Sequence, residues 1–566
     1  MAERVVGRGP AGLVALLVLL ALLGDVPGAA PAPAHGAQVP SEGITAEVVR
    51  IDGGDEVILQ LGDGRRFVGA VELRADADGS LRLVNDVTMD DYLTGVAEMP
   101  PRWHEEALKA QAVAARTYAW RSIQRGTFAD RGYDICATVD CQVFRGTEVV
   151  EGRTGGERWQ RAVRDTSGEV LLDDEGRPIL ARYFSSSGGR TLPNDLVFPA
   201  TGAFDYLVGV EDPDDELSPW HRWRVAFTRE EFDDILGRGE TLSGAVPVAE
   251  VERLGDLHDP RAQIVAVGED GGEAGVPAVR FREFVSRIAA ERYPERFPAR
   301  GEDGRRMPTT LPSSRFEVEV GDDEVVVEGR GWGHGVGMGQ YGALGKARRG
   351  LAYDEILASY YEGLTPVRPD DVPDRVRVGL SAPGEVTVRG EAPVRLLADG
   401  AELTPRALGQ WRLEAVDGRV RLLPPEGHDQ PLEVAPTSLG ATPGELADHV
   451  LVETHVNKPV ELSLRVRDPD GEPVYERDLG VAEPGEHAAT WRLVDDDGER
   501  VDEGAYRLAL VGVDAGGDAA GEAVAVPVTA PTSTDDGAGR VLPAGLALTL
   551  IVAAAALALA HRRRRA

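Results

Sequence analysis

DDYLTGVAEMPPRWHEEALKAQAVAARTYAW, residues 90–120, is where the chain changes its period. Upstream, EVVRIDGGDEVILQL (47–61) and RRFVGAVELRADADGSLRLV (65–84) alternate apolar and polar residues between Gly and Asp turns, which predicts antiparallel strands. Thr88, with Asp91 three residues on, then resembles a capping box and opens a short helix. Pro100 and Pro101 break it. A longer helix follows, with Leu108, Ala112, Ala115, Ala119 and Ile123 on one apolar stripe. Glu98 falls in the break between the two helices, among Val96, Met99, Pro100 and Trp103, which form a poorly hydrated setting for a carboxyl group.

Working outward, 566 residues at 42% hydrophobic content are too many for one core and too apolar for disorder, so several domains are expected. The balance of 61 basic to 95 acidic residues gives a net charge of -34, which repels nucleic acid and anionic lipid as main partners. Residues 1–30 carry arginines, an apolar run from Leu13 to Leu23 and small residues at Ala29 and Ala30, as a signal peptide does. At the other end, residues 541–560 are apolar and precede the basic tail 561–566, with Arg562 to Arg565. This predicts a single-pass transmembrane helix with its basic flank in the cytoplasm and the body of the protein outside. The Leu-Pro-Ala-Gly at 542–545 lacks the threonine of a sortase signal, which favours a retained anchor. Pro/Ala/Gly-rich linkers occupy 31–43 and 531–540.

Between the linkers three pieces are expected: 44–368 of mixed α+β character, 373–434 as a small all-β module, and 450–529 as an immunoglobulin-like β-sandwich. The last resembles the FlgD-type immunoglobulin-like repeat in its DPDG turn at 468–471, core Trp491 and GAYRL at 504–508. The aspartates of DPDG and DDDG lack the distal Glu of a calcium loop, so turn chemistry accounts for them.

Four segments of the first piece, in order, resemble one family: residues 90–120, CQVFRG (141–146), RYFSSSGGRT (182–191) and GWGHGVGMGQYGA (331–343). They are similar to the stage II sporulation protein D family, SpoIID/LytB, over most of 65–365. The resemblance implies peptidoglycan as substrate and a location at the cell wall. Sporulation members are lytic transglycosylases acting on strands without stem peptides, and LytB relatives enhance a cell-wall amidase. A non-catalytic amidase enhancer is therefore the alternative to an enzyme. No cofactor and no metal are expected: family members that hold zinc in the cysteine region add histidines to the cysteines, and no histidine occurs here between His104 and His221. The family's catalytic glutamate, in its Ser-Glu-Met-Pro segment, falls on Glu98, with Ala97 in place of the serine. Without the resemblance, Glu98 is one acidic residue among 95.

The remaining candidates follow from the same segments. Arg116, one position beyond the apolar stripe, either orients Glu98 or a sugar or makes a structural ion pair with Glu105 or Glu106. Ser185, Ser186 and Ser187 are expected to line a sugar groove, because no Asp/His pair at recognisable spacing makes any of them a hydrolase nucleophile. The glycines of 331–342 lack the Lys-Ser/Thr ending of a phosphate loop, so Trp332, His334 and Gln340 are expected in the groove, with a structural histidine the alternative for His334. Cys136 and Cys141, close together in an exported chain, are expected to form a disulfide, with zinc or free thiols the alternatives.

Overall fold

The computed structural model describes residues 39–298, 310–382, 384–441 and 449–528. The expected signal peptide, the C-terminal linker, the anchor and its basic tail lie outside the described residues, as does most of the N-terminal linker. Among the described residues no helix is long and apolar enough to cross a membrane. The chain is a mixed α+β protein with additional all-β structure.

The alternating segments form strands, but their partners lie far away in sequence. One six-stranded sheet runs in the order 44–46, 419–423, 411–416, 385–390, 59–61, 66–67. A seven-stranded sheet runs 401–407, 394–398, 48–52, 70–75, 81–88, 375–381, 135–136. Residues 373–434 are thus no module of their own. Their strands are threaded between those of 44–88, and both sets feed one continuous core that reaches from Val49 and Leu83 through Leu108 and Ala112 to Val378, Trp411 and Leu413. Alternation tells which face of a strand is buried, not which distant strand completes its hydrogen bonding.

Two helices form where the period changes. The first, α1 (Met89–Thr94), is capped by the Thr88 hydroxyl, which accepts from the Asp91 amide at 3.2 Å. The second, α2 (Glu105–Arg125), ends at Gly126 in the left-handed conformation, φ 58°. It is buried more widely than one stripe: Ala110, Gln111, Val113, Ala114, Arg116, Thr117 and Trp120 are buried as well, while Ile123 is only half-buried. Alanines on several faces let α3 (Gly156–Asp165) and the helices Gln340–Arg348 and Tyr353–Tyr360 pack closely around it.

Residues 223–298 and 310–329 form a lobe inserted between the third and fourth motif segments, with its own core of Phe227, Phe232, Phe281 and Phe316 and two three-stranded sheets. The immunoglobulin-like sandwich packs around fully buried Trp491, and it begins earlier than expected, because strand Val434–Ala441 pairs with Val450–Val456. The Asp468 and Asp495 carboxylates accept amides of their own turns, from Glu472 at 2.8 Å and Glu499 at 2.8 Å.

Strand Arg375–Ser381 is the sixth of the seven strands, antiparallel to Leu81–Thr88 on one side and parallel to the edge strand Ile135–Cys136 on the other. A chain ending at Arg368 is therefore expected to lose its cooperative thermal transition, whereas one ending at Glu433 keeps it; circular dichroism melts of both would show a retained transition in the shorter chain if the two sheets did not depend on that strand.

Candidate functional site

Glu98 sits in the turn after α1, and residues 143–145 lie antiparallel alongside it. The Ala97 amide donates to the Val143 carbonyl at 2.8 Å and the Arg145 amide donates to the Gly95 carbonyl at 2.8 Å. Between them the Val143 amide donates to the Glu98 carboxylate at 2.7 Å. Gly95 is required by this approach, since a Cβ there would strike the ring of Phe144. Upstream of Val143 a disulfide joins Cys136 to Cys141, with Cα atoms 5.6 Å apart, and Ile135–Cys136 is itself a strand of the large sheet. The loop carrying the carboxylate's donor is thereby tied to the β framework.

Three phenols lie near enough to the carboxyl group to feel its charge. Tyr92 donates to Gln142 Oε1 at 2.6 Å, and Gln142 Nε2 donates to the Tyr183 hydroxyl at 2.9 Å. Burial raises the phenol pKa of Tyr92, Tyr118 and Tyr183, and the charge of Glu98 raises each further. Burial also raises the Glu98 carboxyl above its ordinary value, opposed by the Val143 amide. The residue as a whole is half-buried. The result is a poorly hydrated acid, held at one oxygen, with access to an incoming group.

Gln340 does not line a groove. It is buried, and its Nε2 donates to the Glu98 carbonyl at 3.3 Å and to Gln111 Oε1 at 3.1 Å, which couples the glycine-rich segment to α2 and to the Glu98 turn. Arg116 is likewise corrected. It is fully buried, and its guanidinium donates to the carbonyls of Thr166 at 2.7 Å, Glu169 at 3.1 Å and Val163 at 3.2 Å and to Asp90 at 3.0 Å. It closes the C-terminal end of α3 and joins that helix to α1. Glu105 and Glu106, the ion-pair partners expected for it, pair with Lys109 instead.

The serine loop divides. Ser186 and Ser187 are fully buried, and the loop wraps around Asp215, which accepts from the Ser186 hydroxyl at 2.8 Å and from the amides of Ser187 at 2.9 Å and Gly188 at 2.8 Å. His221 stands 3.0 Å from the same carboxylate. The aspartate lies between serine and histidine, so the imidazole is not placed to take the serine proton. Only Ser185 remains partly accessible, with its carbonyl accepting the Tyr341 amide at 3.0 Å.

In the glycine-rich segment, Gly331, Gly333, Gly335 and Gly337 all have positive φ, between 73° and 100°. The space they leave is filled by the protein: a Cβ at Gly337 would strike the Arg182 carbonyl, and one at Gly331 the Ser186 carbonyl. His334 accepts the Val336 amide at Nδ1, 3.0 Å, and packs between Phe184 and Phe198. Burial, with the nearby Arg182 charge, depresses its pKa to about 3, so the ring stays neutral. Trp332 is half-buried against the edge of Trp220, and Trp103 and Tyr341 form a second partly accessible aromatic pair, 4.8 Å between centroids, next to the Glu98 turn. Aromatic faces of this kind are suited to sugar rings.

Gln111, Gln142, Tyr92, Tyr183, Asp215 and His221 escape sequence reasoning. Tyr92 and Gln111 lie inside the 90–120 segment, Gln142 inside CQVFRG and Tyr183 inside RYFSSSGGRT, and that placement is the signal they carried. The others are common residue types whose task appears only when distant segments meet. Among the described residues no group of three or more His, Cys, Asp or Glu is placed to hold a metal ion.

Two regions of the chain match known family models. Residues 77–172 match the family model described as stage II sporulation protein, and residues 443–516 match the FlgD Ig-like domain. Stage II sporulation protein D of Bacillus subtilis (strain 168) is 31% identical over 290 residues, spanning 50% of this chain and 74% of that protein. An uncharacterized protein of Brachyspira hyodysenteriae is 31% identical over 288 residues, spanning 50% and 67%. The amidase enhancer of Bacillus subtilis (strain 168) is 27% identical over 303 residues, spanning 47% of this chain and 39% of that protein.

Two outcomes follow from the burial of these groups. Arg116→Met should lower stability by about 3 kcal/mol, because buried carbonyls lose their donor; an unchanged denaturation midpoint would return Arg116 to the groove. Glu98 has a folded-state pKa raised above its unfolded value, so the folded state loses stability as pH rises from the ordinary carboxylate range through the raised value. Glu98→Gln should accordingly melt higher than the parent at neutral pH, with the gap closing in acid, and a gap independent of pH would contradict the raised pKa.

Proposed function

Since the chain belongs to the stage II sporulation protein D family, we propose that it remodels the cell wall as a peptidoglycan lytic transglycosylase, with Glu98 as the single catalytic acid and then base. The observation that carries this is the state of Glu98: one carboxyl group, pKa raised by burial, held at one oxygen by an amide and close to phenols that feel its charge. The groups that shift it include no second carboxylate. Glycoside hydrolases ordinarily set two carboxyl groups about 5–10 Å apart. A transglycosylase needs one.

In the proposed reaction Glu98 protonates the glycosidic oxygen as the bond to the muramoyl anomeric carbon breaks, and the N-acetyl oxygen of the same sugar bonds to that carbon. The Glu98 carboxylate then takes the proton of the C6 hydroxyl, and O6 displaces the N-acetyl oxygen to close a 1,6-anhydro ring. No water is consumed, and Glu98 ends protonated as it began. The Val143 amide fixes the carboxylate's position during both transfers, and Gln340 and Gln111 fix the turn that carries it. Trp103, Tyr341 and Trp332 are proposed to stack on sugar rings, with Ser185 as a polar contact.

A second role, enhancement of a partner amidase, is favoured by the likeness to the amidase enhancer. It predicts no glycan cleavage by the protein alone. Denuded glycan strands incubated with the full chain are expected to yield 1,6-anhydromuramoyl ends by mass spectrometry, and Glu98→Gln to reduce their rate at least about 100-fold, as loss of a general acid does. Equal yields from the two proteins would dismiss Glu98; no ends from either, with faster peptide release when an amidase is added, would establish the enhancer instead.

A further inference from the structure

A glycan strand without stem peptides carries a free lactyl carboxylate on each muramoyl residue, and a chain of net charge -34 repels such a polyanion unless cations are placed at the site. Arginines are placed around Tyr118, one of the phenols facing Glu98. Arg121 and Arg125 follow it on α2, three and seven positions on, and Arg182 comes from the segment that also supplies Tyr183. Among the described residues none of these three makes an ion pair with a carboxylate, although acidic residues outnumber basic ones by 95 to 61.

Arg182 is the most fully prepared of them. Its carbonyl accepts from the Met338 amide at 3.0 Å and the Tyr361 hydroxyl at 2.7 Å, which pins the backbone. Its Nε donates to Asn194 Oδ1 at 3.1 Å, and Asn194 is itself buried and oriented by Nδ2 bonds to Thr201 at 2.8 Å and the Gly202 carbonyl at 2.6 Å. The guanidinium lies over the ring of Phe198, 3.8 Å from its centroid. With Nε engaged and one face stacked, the Nη1 and Nη2 edge is what remains, and it has no hydrogen-bond partner among the described residues. That edge is the fork that matches a carboxylate. Burial lowers the pKa of Arg182, and no carboxylate is among the charges acting on it: it is a cation held ready without a counter-ion.

We propose that the Nη edge of Arg182, with Arg125 beside Tyr118, binds the free lactyl carboxylate of a muramoyl residue seated next to Glu98, and that this contact selects strands whose stem peptides have been removed. A stem peptide converts the carboxylate to an amide, which removes its charge, takes away one acceptor and adds bulk at the fork. The selection rests on the transglycosylase role of Glu98, but the carboxylate site does not require cleavage to be detected.

The test uses the full chain and two substrates: denuded strands, and the same strands with their lactyl carboxylates converted to methylamides. Wild-type kcat/KM is expected to be about tenfold or more higher on the free carboxylate, a difference of about 1.4 kcal/mol. Arg182→Gln should abolish that preference, its loss on carboxylate strands exceeding its loss on methylamide strands about tenfold, and Arg182→Lys should restore part of it. Equal losses on the two substrates, or no loss, would overturn the proposal, and the methylamide rate together with the melting temperature reports any misfolding. Binding of both strands to Glu98→Gln, with and without Arg182→Gln, separates the two ideas. If wild type cleaves neither substrate while binding still prefers the free carboxylate through Arg182, the transglycosylase role fails and the anion site stands. If cleavage occurs without such a preference, the role stands and the site fails.

Discussion

A single hydrogen bond, from the Val143 amide to the Glu98 carboxylate at 2.7 Å, is the point on which the architecture converges. An amide donor in a poorly hydrated site holds a carboxyl group in place without supplying a charge that would drive it to ionise. For that donor to be in position, residues 143–145 must lie along 95–97, the Cys136–Cys141 loop must close, and Ile135–Cys136 must join the sheet through Val378 and Gly379. The strand carrying Val378 and Gly379 is held in turn by Leu81–Thr88, which leads directly into α1 and Glu98. The two ends of the bond hang from the two strands of one sheet that flank strand Arg375–Ser381.

An acid whose pKa is raised by burial works against stability when it ionises, and the surroundings are built to hold it regardless. The buried polar groups nearby are neutral, paired or satisfied by main chain. Gln142 and Gln340 bridge elements with carboxamides, Arg116 spends its guanidinium on carbonyls and Asp90, and Arg315 does the same with the carbonyls of Ser186, Ser187 and Arg190. Lys346 is matched by Asp212 at 2.7 Å, with the Tyr360 hydroxyl on the same carboxylate oxygen. Against this background Arg182 stands out as a guanidinium with no carboxylate partner among the described residues, and Tyr118, which feels the charge of Glu98, is one of its neighbours.

The glycine-rich segment illustrates how a motif's residue types serve packing before chemistry. Its alternating positive-φ glycines bring the backbone against 182–187, and His334 closes the loop as a neutral acceptor for Val336. The segment's contribution to the site comes through Gln340, at the start of the following helix, and through the partly open faces of Trp332 and Tyr341. Ser186 and Ser187 serve packing in the same way, as the wrapping of Asp215.

Local patterns were enough to read from the sequence the strands of 44–88, the capped short helix, the proline break with Glu98 in it, the long alanine-rich helix and the immunoglobulin-like sandwich around Trp491. Each depends on capping, periodicity or turn chemistry within a dozen or so residues. The sequence also marked the four segments that meet at the site, through their order and residue types. Tertiary structure alone decided that residues 373–434 complete the sheets of 44–88, that Arg116 closes a helix instead of touching sugar, and that Gln142 and Tyr92 line the acid. A strand's alternation names its buried face but not its partner, and a polar residue's type names what it can bond but not what the fold will bring within 3 Å of it.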